Sequence, residues 1–321
     1  MKKMMKLTAL ILTAAMAMTG CGGSGDSADA EGKYKVGIVQ QLEHPALDAA
    51  SLGFQEKLTE LTDGNVVFDY QNAQGEQTNC TTIATKFVSD GVDLIMANAT
   101  TALQSAAAAT ADIPIVGTSV TDYVTAGVVE SNEAPGRNVT GASDLAPIDE
   151  QIAMLMELIP DVQKVGILYC SAEPNSIYQS ELAQAELDKA GVAWAEYTAA
   201  DSNEVQSVVT KAISECDVLY VPTDNTMANN TEIIRNVAVP AGVPVIAGEE
   251  GICAGCGVAT LSISYYDLGV KTAEMAAQIL KGEADISTMA IAYADKQTPK
   301  YNAAICEALG ITPVEGYEAI A

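Results

Sequence analysis

The sequence predicts an α/β protein built from two doubly wound lobes with parallel sheets, and the main evidence is an internal repeat. Three mostly apolar runs occur twice in the same order: Lys35–Gln40 matches Lys164–Tyr169, Val92–Ala97 matches Cys216–Val221, and Ile113–Gly117 matches Val243–Ala247. Equivalent residues lie 129 (Lys35 and Lys164), 124 (Asp93 and Asp217) and 130 positions apart (Pro114 and Pro244). Short runs rich in β-branched residues are typical of strands that are buried on both faces of a parallel sheet.

The first repeat alternates strands and helices, which predicts βαβ units. Its predicted strands are Lys33–Val39, Val66–Tyr70, Val92–Ala97 and Ile113–Gly117, and its predicted helices are Pro45–Leu61, Asn79–Ser89 and Ala102–Ala111. The segment Asn132–Pro147 is rich in Gly, Pro, Asn and Ser, and it ends the repeat.

The second repeat follows the same course and adds elements at its end. Its predicted helices are Ile152–Leu158, Asn175–Ala190, Asn203–Cys216, Thr226–Val239, Asp267–Leu280 and Asn302–Leu309. Its predicted strands are Lys164–Tyr169, Trp194–Tyr197, the run to Val221, Val243–Ala247, Val258–Ile263 and Met289–Tyr293.

Polar residues directly follow the matched strands, and ligands of open α/β sheets bind at the carboxyl ends of strands. Two lobes that face each other would therefore place these residues around one cleft. The candidate ligand-binding residues are Glu43, His44, Thr100, Thr101, Thr118, Ser119, Ser171, Glu173, Asn175, Ser176, Thr223, Asp224, Asn225, Glu250 and, in a later loop, Tyr265. For single members the alternative is a turn, a helix cap or, for Tyr265, packing at a crossover.

The first 20 residues predict a signal peptide that is not part of the fold. Three lysines precede an apolar stretch too short to span a bilayer, and a small-residue cleavage site follows. Cys21 directly after Thr19-Gly20 resembles the lipobox of bacterial lipoproteins, in which the cysteine is acylated. We expect a lipid on Cys21 to anchor the protein to the extracytoplasmic face of the cell membrane, with residues 21–32 as a tether. The alternative is an ordinary secretory signal.

Charge and composition exclude several partners. The leader carries three lysines and no acids, so the mature chain would have a formal charge of −29 rather than −26, which argues against nucleic acid as a partner. The two arginines, Arg137 and Arg235, do not follow a repeated strand, which disfavours phosphate, sulfate or dicarboxylate ligands. Cys253 and Cys256 form a lone C-x-x-C, read as an incidental pair or a small disulfide, and no metal or cofactor is predicted.

The remaining polar groups complement an α-amino acid zwitterion. Hydroxyls at Thr100, Thr101 and Ser119, with a helix N-terminus beside them, suit a carboxylate. Acids on the other wall suit an ammonium group, with Asp224 preferred and Glu173 or Glu250 as alternatives. The residues alone allow an aromatic or a large aliphatic side chain.

Five motifs resemble the tryptophan/tyrosine-type substrate-binding lipoproteins of ABC importers. They are Lys35–Ala50, Ser131–Gly141, Tyr169–Ser176, Val221–Asn225 and Ser262–Gly269, in order along nearly the whole chain from Lys33 to Ile320. The resemblance implies a periplasmic-binding-protein type I fold with three crossovers that form a hinge. It places residues 33–142 and 267–293 in the first lobe, and 143–266 and 294–321 in the second. It also implies an aromatic amino acid as ligand.

The first functional hypothesis is therefore a monomeric binding lipoprotein that closes around an amino acid and delivers it to an ABC permease and its ATPase. An enzyme on the same fold would need a nucleophile with a base, a metal cluster or a phosphate loop, and the sequence contains no motif for any of them. A surface sensor of small solutes is a further alternative.

Overall fold

The computed structural model of the chain describes residues 32–320; the predicted leader, Cys21 and almost all of the predicted tether lie outside this range. The described chain forms two sheets with helices on both faces, so the predicted α/β class with two parallel-sheet lobes is confirmed. No helix among residues 32–320 is long and apolar enough to cross a membrane.

The strands and helices alternate through most of the chain. The strands are β1 (Tyr34–Gln40), β2 (Val66–Asn72), β3 (Leu94–Asn98), β4 (Ile115–Val120), β5 (Val139–Ser143), β6 (Lys164–Cys170), β7 (Ala193–Ala199), β8 (Val218–Val221), β9 (Val245–Ala247), β10 (Ala259–Ser262), β11 (Ala292–Tyr293), β12 (Thr298–Tyr301) and β13 (Glu318–Ala319). The helices are α1 (Pro45–Leu61), α2 (Gln77–Asp90), α3 (Thr100–Ala109), α4 (Ile148–Leu158), α5 (Pro174–Ala190), α6 (Val205–Glu215), α7 (Asn225–Asn229), α8 (Thr231–Ala238), α9 (Glu250–Cys256), α10 (Tyr265–Leu280) and α11 (Ala303–Leu309), with a short 3-10 helix at Ile286–Thr288.

The two sheets have the strand orders β11-β5-β4-β3-β1-β2 and β13-β12-β10-β9-β8-β6-β7. All neighbouring strands are parallel except β10 and β12, which pair antiparallel. The chain passes between the sheets after β5, after β10 and between β11 and β12. The strands at these crossovers are the first two of the first sheet, β11 and β5, and the second and third of the second sheet, β12 and β10.

Buried apolar residues cover both faces of each sheet. Helices α1 and α10 pack on one face of the first sheet around Phe54 and Leu58, while α2 and α3 pack on the other around Phe87 and Leu103. The backbones of α1 and α10 touch, because a Cβ added to Gly269 would lie 2.0 Å from the carbonyl oxygen of Ala50. This packing fixes the N-terminus of α1, which faces the second sheet.

The structure differs from the sequence prediction in several short elements. The predicted helix Thr226–Val239 is broken at Asn230 into α7 and α8, and strands β5 and β12 form in segments read as loops. Helix α9 was not predicted, because its two glycines and two cysteines have poor helix propensity. Burial of Ile252 and capping by the Glu249 side chain stabilise it.

Candidate ligand-binding site

A narrow cavity with about 280 Å³ of empty space lies where the strand ends of the two sheets meet. The loops after β1 and β4 form one wall, and the loops and helix N-termini after β6, β8 and β9 form the other. Seven of the sequence-predicted residues line it: His44, Ser119, Asn175, Thr223, Asp224, Asn225 and Tyr265. Seven of the fifteen predicted residues therefore lie together at one place.

Two side-chain contacts bridge the cleft. The Nε2 atom of His44 lies 3.1 Å from Oδ1 of Asn225, and the amide Nε2 of Gln179 donates to Oγ1 of Thr121 at 3.4 Å. Each contact joins a loop of the first sheet to a helix of the second. The two lobes are thus in contact on both sides of the cavity, which is a closed arrangement.

A smaller cavity of about 180 Å³ adjoins the central one and is lined in part by Thr100, Asp122 and Tyr178. Asn175 lines both cavities. The N-cap residue of α3, Ala99, has no capping side chain, although the amide oxygen of Gln41 accepts from the backbone N–H of Thr101 in the first turn. An anion beside this helix end would be stabilised by the other backbone N–H groups of the first turn and the helix dipole.

Several buried polar atoms of the predicted site have no hydrogen-bond partner within the described chain. They are Nδ1 of His44, Oγ1 of Thr100, Oγ1 of Thr118, Oγ of Ser119 and Oδ1 of Asn175. A buried polar group without a partner costs about 1–3 kcal/mol. The atoms of His44, Ser119 and Asn175 line the central cavity and that of Thr100 belongs to a residue of the smaller one, where a polar ligand would satisfy them.

The backbone at the strand ends of the first sheet is strained. Ala99 after β3 has a φ of 88°, and Ser119 near the end of β4 has a φ of 55°. The pairing of β4 with β5 shifts register between Gly117 and Val120, which takes Thr118 and Ser119 out of the regular ladder. Left-handed backbone at a non-glycine residue costs about 1–3 kcal/mol and is concentrated at functional sites.

Asp224 has a structural role in addition to its place in the cavity wall. One carboxylate oxygen accepts from the backbone N–H of Met227 at 2.8 Å and caps α7, and the other accepts from the backbone N–H of Cys170 at 2.6 Å. Burial and, to a smaller extent, the neighbouring carboxyl of Glu173 raise the pKa of Asp224 to about 8. The group is therefore costly to ionise in the ligand-free cavity.

Glu173 lies behind the cavity wall and holds the start of α7. Its two oxygens accept from the backbone N–H groups of Asn225 and Thr226 at 3.0 and 2.8 Å, and from both of their side chains. These contacts orient the Asn225 amide that meets His44. Burial lowers the pKa of the His44 imidazole, although the contact with Asn225 opposes the shift.

The cavity also contains three polar residues that the sequence prediction missed: Thr121, Asp144 and Glu249. The carboxylate of Asp144 accepts from the hydroxyls of Tyr265 at 2.9 Å and Thr121 at 3.1 Å. Burial raises the pKa of Asp144, and it raises the pKa of Glu249 to about 7. Asp144 follows the unpredicted strand β5, whereas Glu249 was detectable because it precedes the predicted Glu250 and follows the same strand.

The other predicted residues lie outside the central cavity. Thr118, Glu173 and Ser176 are buried behind its walls, and Thr100 lines the smaller cavity. Thr101 is half-buried, and its backbone N–H donates to Gln41. Glu43 and Ser171 are exposed. Glu250 is partly exposed and forms a 2.6 Å ion pair with Lys300.

Glu250 and Lys300 belong to a wider groove beside the crossovers, with about 2120 Å³ of empty space including open solvent. Glu249 and Tyr265 line both this groove and the central cavity. They therefore form the partition between the cavity and a space that reaches solvent.

The cysteines and acids of the described chain do not form a metal centre. Residues 32–320 contain no cluster of three or more His, Cys, Asp or Glu side chains that could hold a metal ion. Cys253 and Cys256 are free thiols buried in α9, and burial raises the pKa of both.

A closed polar cavity between two parallel-sheet lobes, joined by three crossovers, defines a solute-binding protein of the periplasmic-binding-protein type I fold. The chain belongs to the family of ABC transporter substrate-binding proteins, whose profile matches residues 35–318. Proteins of this family act on the extracytoplasmic side of the membrane.

Similar proteins and structures support this assignment. The chain is 38% identical over 297 residues to a tyrosine-binding protein of Clostridioides difficile, covering 88% of this chain and 86% of the relative. It matches the structure of a Streptococcus pneumoniae ABC domain in complex with L-Trp with a TM-score of 0.86 and 33% identity, over 90% of this chain and 100% of that one.

Comparison with a ligand-free, open structure supports the closed arrangement of the lobes. The ligand-free, open structure of a Clostridium difficile substrate-binding protein with adhesive properties is 38% identical but has a TM-score of only 0.69, over 89% of this chain and 99% of that one. The described chain is thus closer in shape to the L-Trp complex than to an open relative of higher sequence identity. This agrees with the contacts that bridge the cleft.

Proposed function

We propose that the protein binds a free α-amino acid, with an aromatic one as the best candidate, and delivers it to an ABC permease and its ATPase. The main support for this proposal is the set of buried, unpartnered polar atoms on both walls of the cavity. No lysine or arginine of the described chain lines this cavity. Such a cavity suits a ligand that brings its own positive charge and also accepts hydrogen bonds.

The two walls differ in the way a zwitterion requires. On the first wall, Thr100, Ser119 and the N-terminus of α3 offer donors to a carboxylate. On the second wall, Asp224 offers a buried carboxyl to an ammonium group. Thr101, Thr118, Ser176 and Asn175 would orient these groups, and Glu173 would hold the second wall in place.

The preference for an aromatic side chain is supported by the relatives and by the apolar part of the wall. The relative at 38% identity is named a tyrosine-binding protein, and the structure at 33% identity is a complex with L-Trp. Ala46, Leu47 and Ala228 line the central cavity beside the Tyr265 ring. Small apolar residues beside a ring leave space for a flat side chain when the lobes separate and close again.

Transport requires that the lobes open, because the closed cavity is narrow. We propose lobe boundaries at residues 33–142 with 267–293, and 143–266 with 294–321, with bending at the three crossovers. We further propose that the protein acts as a monomer without a cofactor, anchored to the membrane through a lipid on Cys21.

A thermal-shift screen with the twenty amino acids tests the function. A ligand at a hundredfold its Kd stabilises the folded protein by about 2.7 kcal/mol, which raises the melting temperature measurably. We expect shifts with tyrosine, tryptophan or phenylalanine and none with a phosphate ester or a dicarboxylate as matched controls. A shift with the phosphate ester and with no amino acid would refute the proposal.

A further inference from the structure

We propose that Asp144, Asp224 and Glu249 together form a cation subsite that exchanges a proton for the ammonium group of the ligand. The inference rests on the proposed function and deepens it, because it makes solute capture depend on pH.

The first observation is the arrangement of the three carboxyls. Asp144, Asp224 and Glu249 come from three different loops, are at most 3% exposed, and line one narrow cavity. Each already accepts two hydrogen bonds: Asp144 from two hydroxyls, and Asp224 and Glu249 from backbone N–H groups. Burial of three carboxyls in one cavity disfavours the charged form of each, and a cation that enters the cavity would favour it.

The second observation is that the cavity wall holds further unpartnered groups aimed at the same space. Nδ1 of His44, Oγ of Ser119 and Oδ1 of Asn175 belong to residues that are at most 7% exposed and that line this cavity. These atoms point to a polar ligand independently of the acids.

The surroundings supply no compensating charge from the described chain. The groups that face the three carboxyls are acidic or neutral: Tyr123, Cys170, Glu173, Glu250, Cys253, Cys256 and Tyr265. The His44 imidazole is kept neutral by burial, which lowers its pKa, and Lys300 is paired with Glu250 on the far side of the partition.

The exchange is balanced in protons and charge. In the free protein the cluster holds at least one proton, since burial raises the pKa of Asp224 to about 8 and that of Glu249 to about 7. When the ammonium enters, its charge favours the carboxylate form, and the O–H proton leaves to solvent. Glu249 also lines the wide groove, which gives this proton a path out of the closed cavity.

The test is isothermal calorimetry with L-tyrosine, and L-tryptophan in parallel, in buffers of different ionisation enthalpy between pH 6 and 8. We expect about 0.5–1 proton released per ligand at pH 7, and affinity that falls by up to about tenfold per pH unit below pH 7. Tight binding with no proton release at any of these pH values would overturn the inference. Absence of binding would instead contradict the proposed function.

Two variants test which carboxyls release the proton when the ligand binds. Asp144→Asn is the gentler one, because its partners are hydroxyls that can turn from donors into acceptors. Glu249→Gln removes a second carboxyl but weakens the cap of α9. We expect each to reduce the number of protons released, while Glu274→Gln, an exposed carboxyl on α10, leaves it unchanged. An unchanged proton count in both cavity variants would contradict the assignment.

Discussion

His44 and Asn225 meet across the cleft, with Nε2 of the imidazole 3.1 Å from Oδ1 of the amide. Since Oδ1 of Asn225 can only accept, the neutral His44 ring donates through Nε2, which leaves Nδ1, without a partner in the described chain, as an acceptor for the ligand. Glu173 holds the Asn225 amide in the matching orientation, because the Nδ2 atom of Asn225 donates to a carboxylate oxygen of Glu173 at 2.7 Å. One imidazole thus joins the lobes and offers an acceptor to the ligand.

Replacing His44 should weaken the closed, ligand-bound state. We expect His44→Ala to reduce affinity for L-tyrosine by about tenfold, since a buried hydrogen bond contributes about 0.5–1.5 kcal/mol and a ligand contact is lost as well. Glu43→Ala, next in sequence but exposed, is the control and should leave affinity unchanged. A double-mutant cycle with Asn225→Ala should show coupling between the two residues; strict additivity would mean that the bridge contributes nothing to closure.

Two substitutions at Ser119 separate the effect of its hydroxyl on binding from the effect of its strained backbone on stability. Ser119→Ala removes the unpartnered hydroxyl and keeps a side chain at a φ of 55°, whereas Ser119→Gly removes both. We expect both variants to lose affinity by about tenfold or more, because a hydrogen bond to a charged ligand group contributes about 1.5–3 kcal/mol. The glycine variant should be more stable than the alanine variant in urea unfolding, because it alone relieves the left-handed backbone. Full affinity in both variants would remove Ser119 from the carboxylate site.

The main framework of the fold could be predicted from the sequence because buried parallel strands leave a strong local signal. Strand β1 and its counterpart β6 were found as apolar runs within a residue or two of their ends. Elements stabilised by tertiary contacts were missed: β5 contains Thr, Gly and Ser, and α9 depends on the Glu249 cap and on burial. Their stability comes from partners distant in the sequence, which periodicity does not reveal.

The sequence predicted those site residues that directly follow recognised strands. Ser119, Asp224 and Asn225, which were predicted from the strand ends of the repeat, line the cavity. Asp144 could not be placed, because its strand was not recognised. The second role of Asp224, as a cap and as a partner of the Cys170 backbone, depends on how two strands lie side by side and has no local sequence signal.

The anchoring proposal depends on Cys21, which lies outside the described residues. We expect Cys21→Ser to move the protein from the membrane fraction to the soluble extracytoplasmic fraction, since a thioether-linked lipid can no longer form. Fractionation followed by immunoblotting measures the change, and Cys80→Ser, a buried thiol in α2, is a control for general effects of cysteine loss. A Cys21→Ser protein that stays in the membrane fraction would show that the segment is not a lipoprotein signal.

Asp224→Asn should affect both binding and stability. The asparagine keeps one acceptor for the N–H groups of Cys170 and Met227 but turns an NH₂ group toward the other, so we expect a loss of about 1 kcal/mol in unfolding free energy. The ammonium partner is lost as well, and affinity for L-tyrosine should fall by at least tenfold. Calorimetry at a temperature well below the melting transition separates the two effects. Reduced stability with unaltered affinity would make Asp224 a structural residue only.

The stability of the ligand-free protein should fall as pH rises from 6.5 to 8. Burial raises the pKa of Asp224 to about 8 and that of Glu249 to about 7, both from values near 4 in the unfolded chain. The folded protein therefore binds more protons, and this contribution to stability is complete below pH 4 and is lost as pH passes the folded values. The slope would reach about 1.4 kcal/mol per pH unit for each such proton. His44, whose pKa is lowered by burial, adds a slope of opposite sign that fades as pH rises above 6.5, the usual pKa of the imidazole in the unfolded chain. Urea unfolding at half-unit pH steps measures the effect, and Glu249→Gln should flatten it; stability that stays constant or rises across this range would mean that the carboxyls are already ionised in the ligand-free cavity.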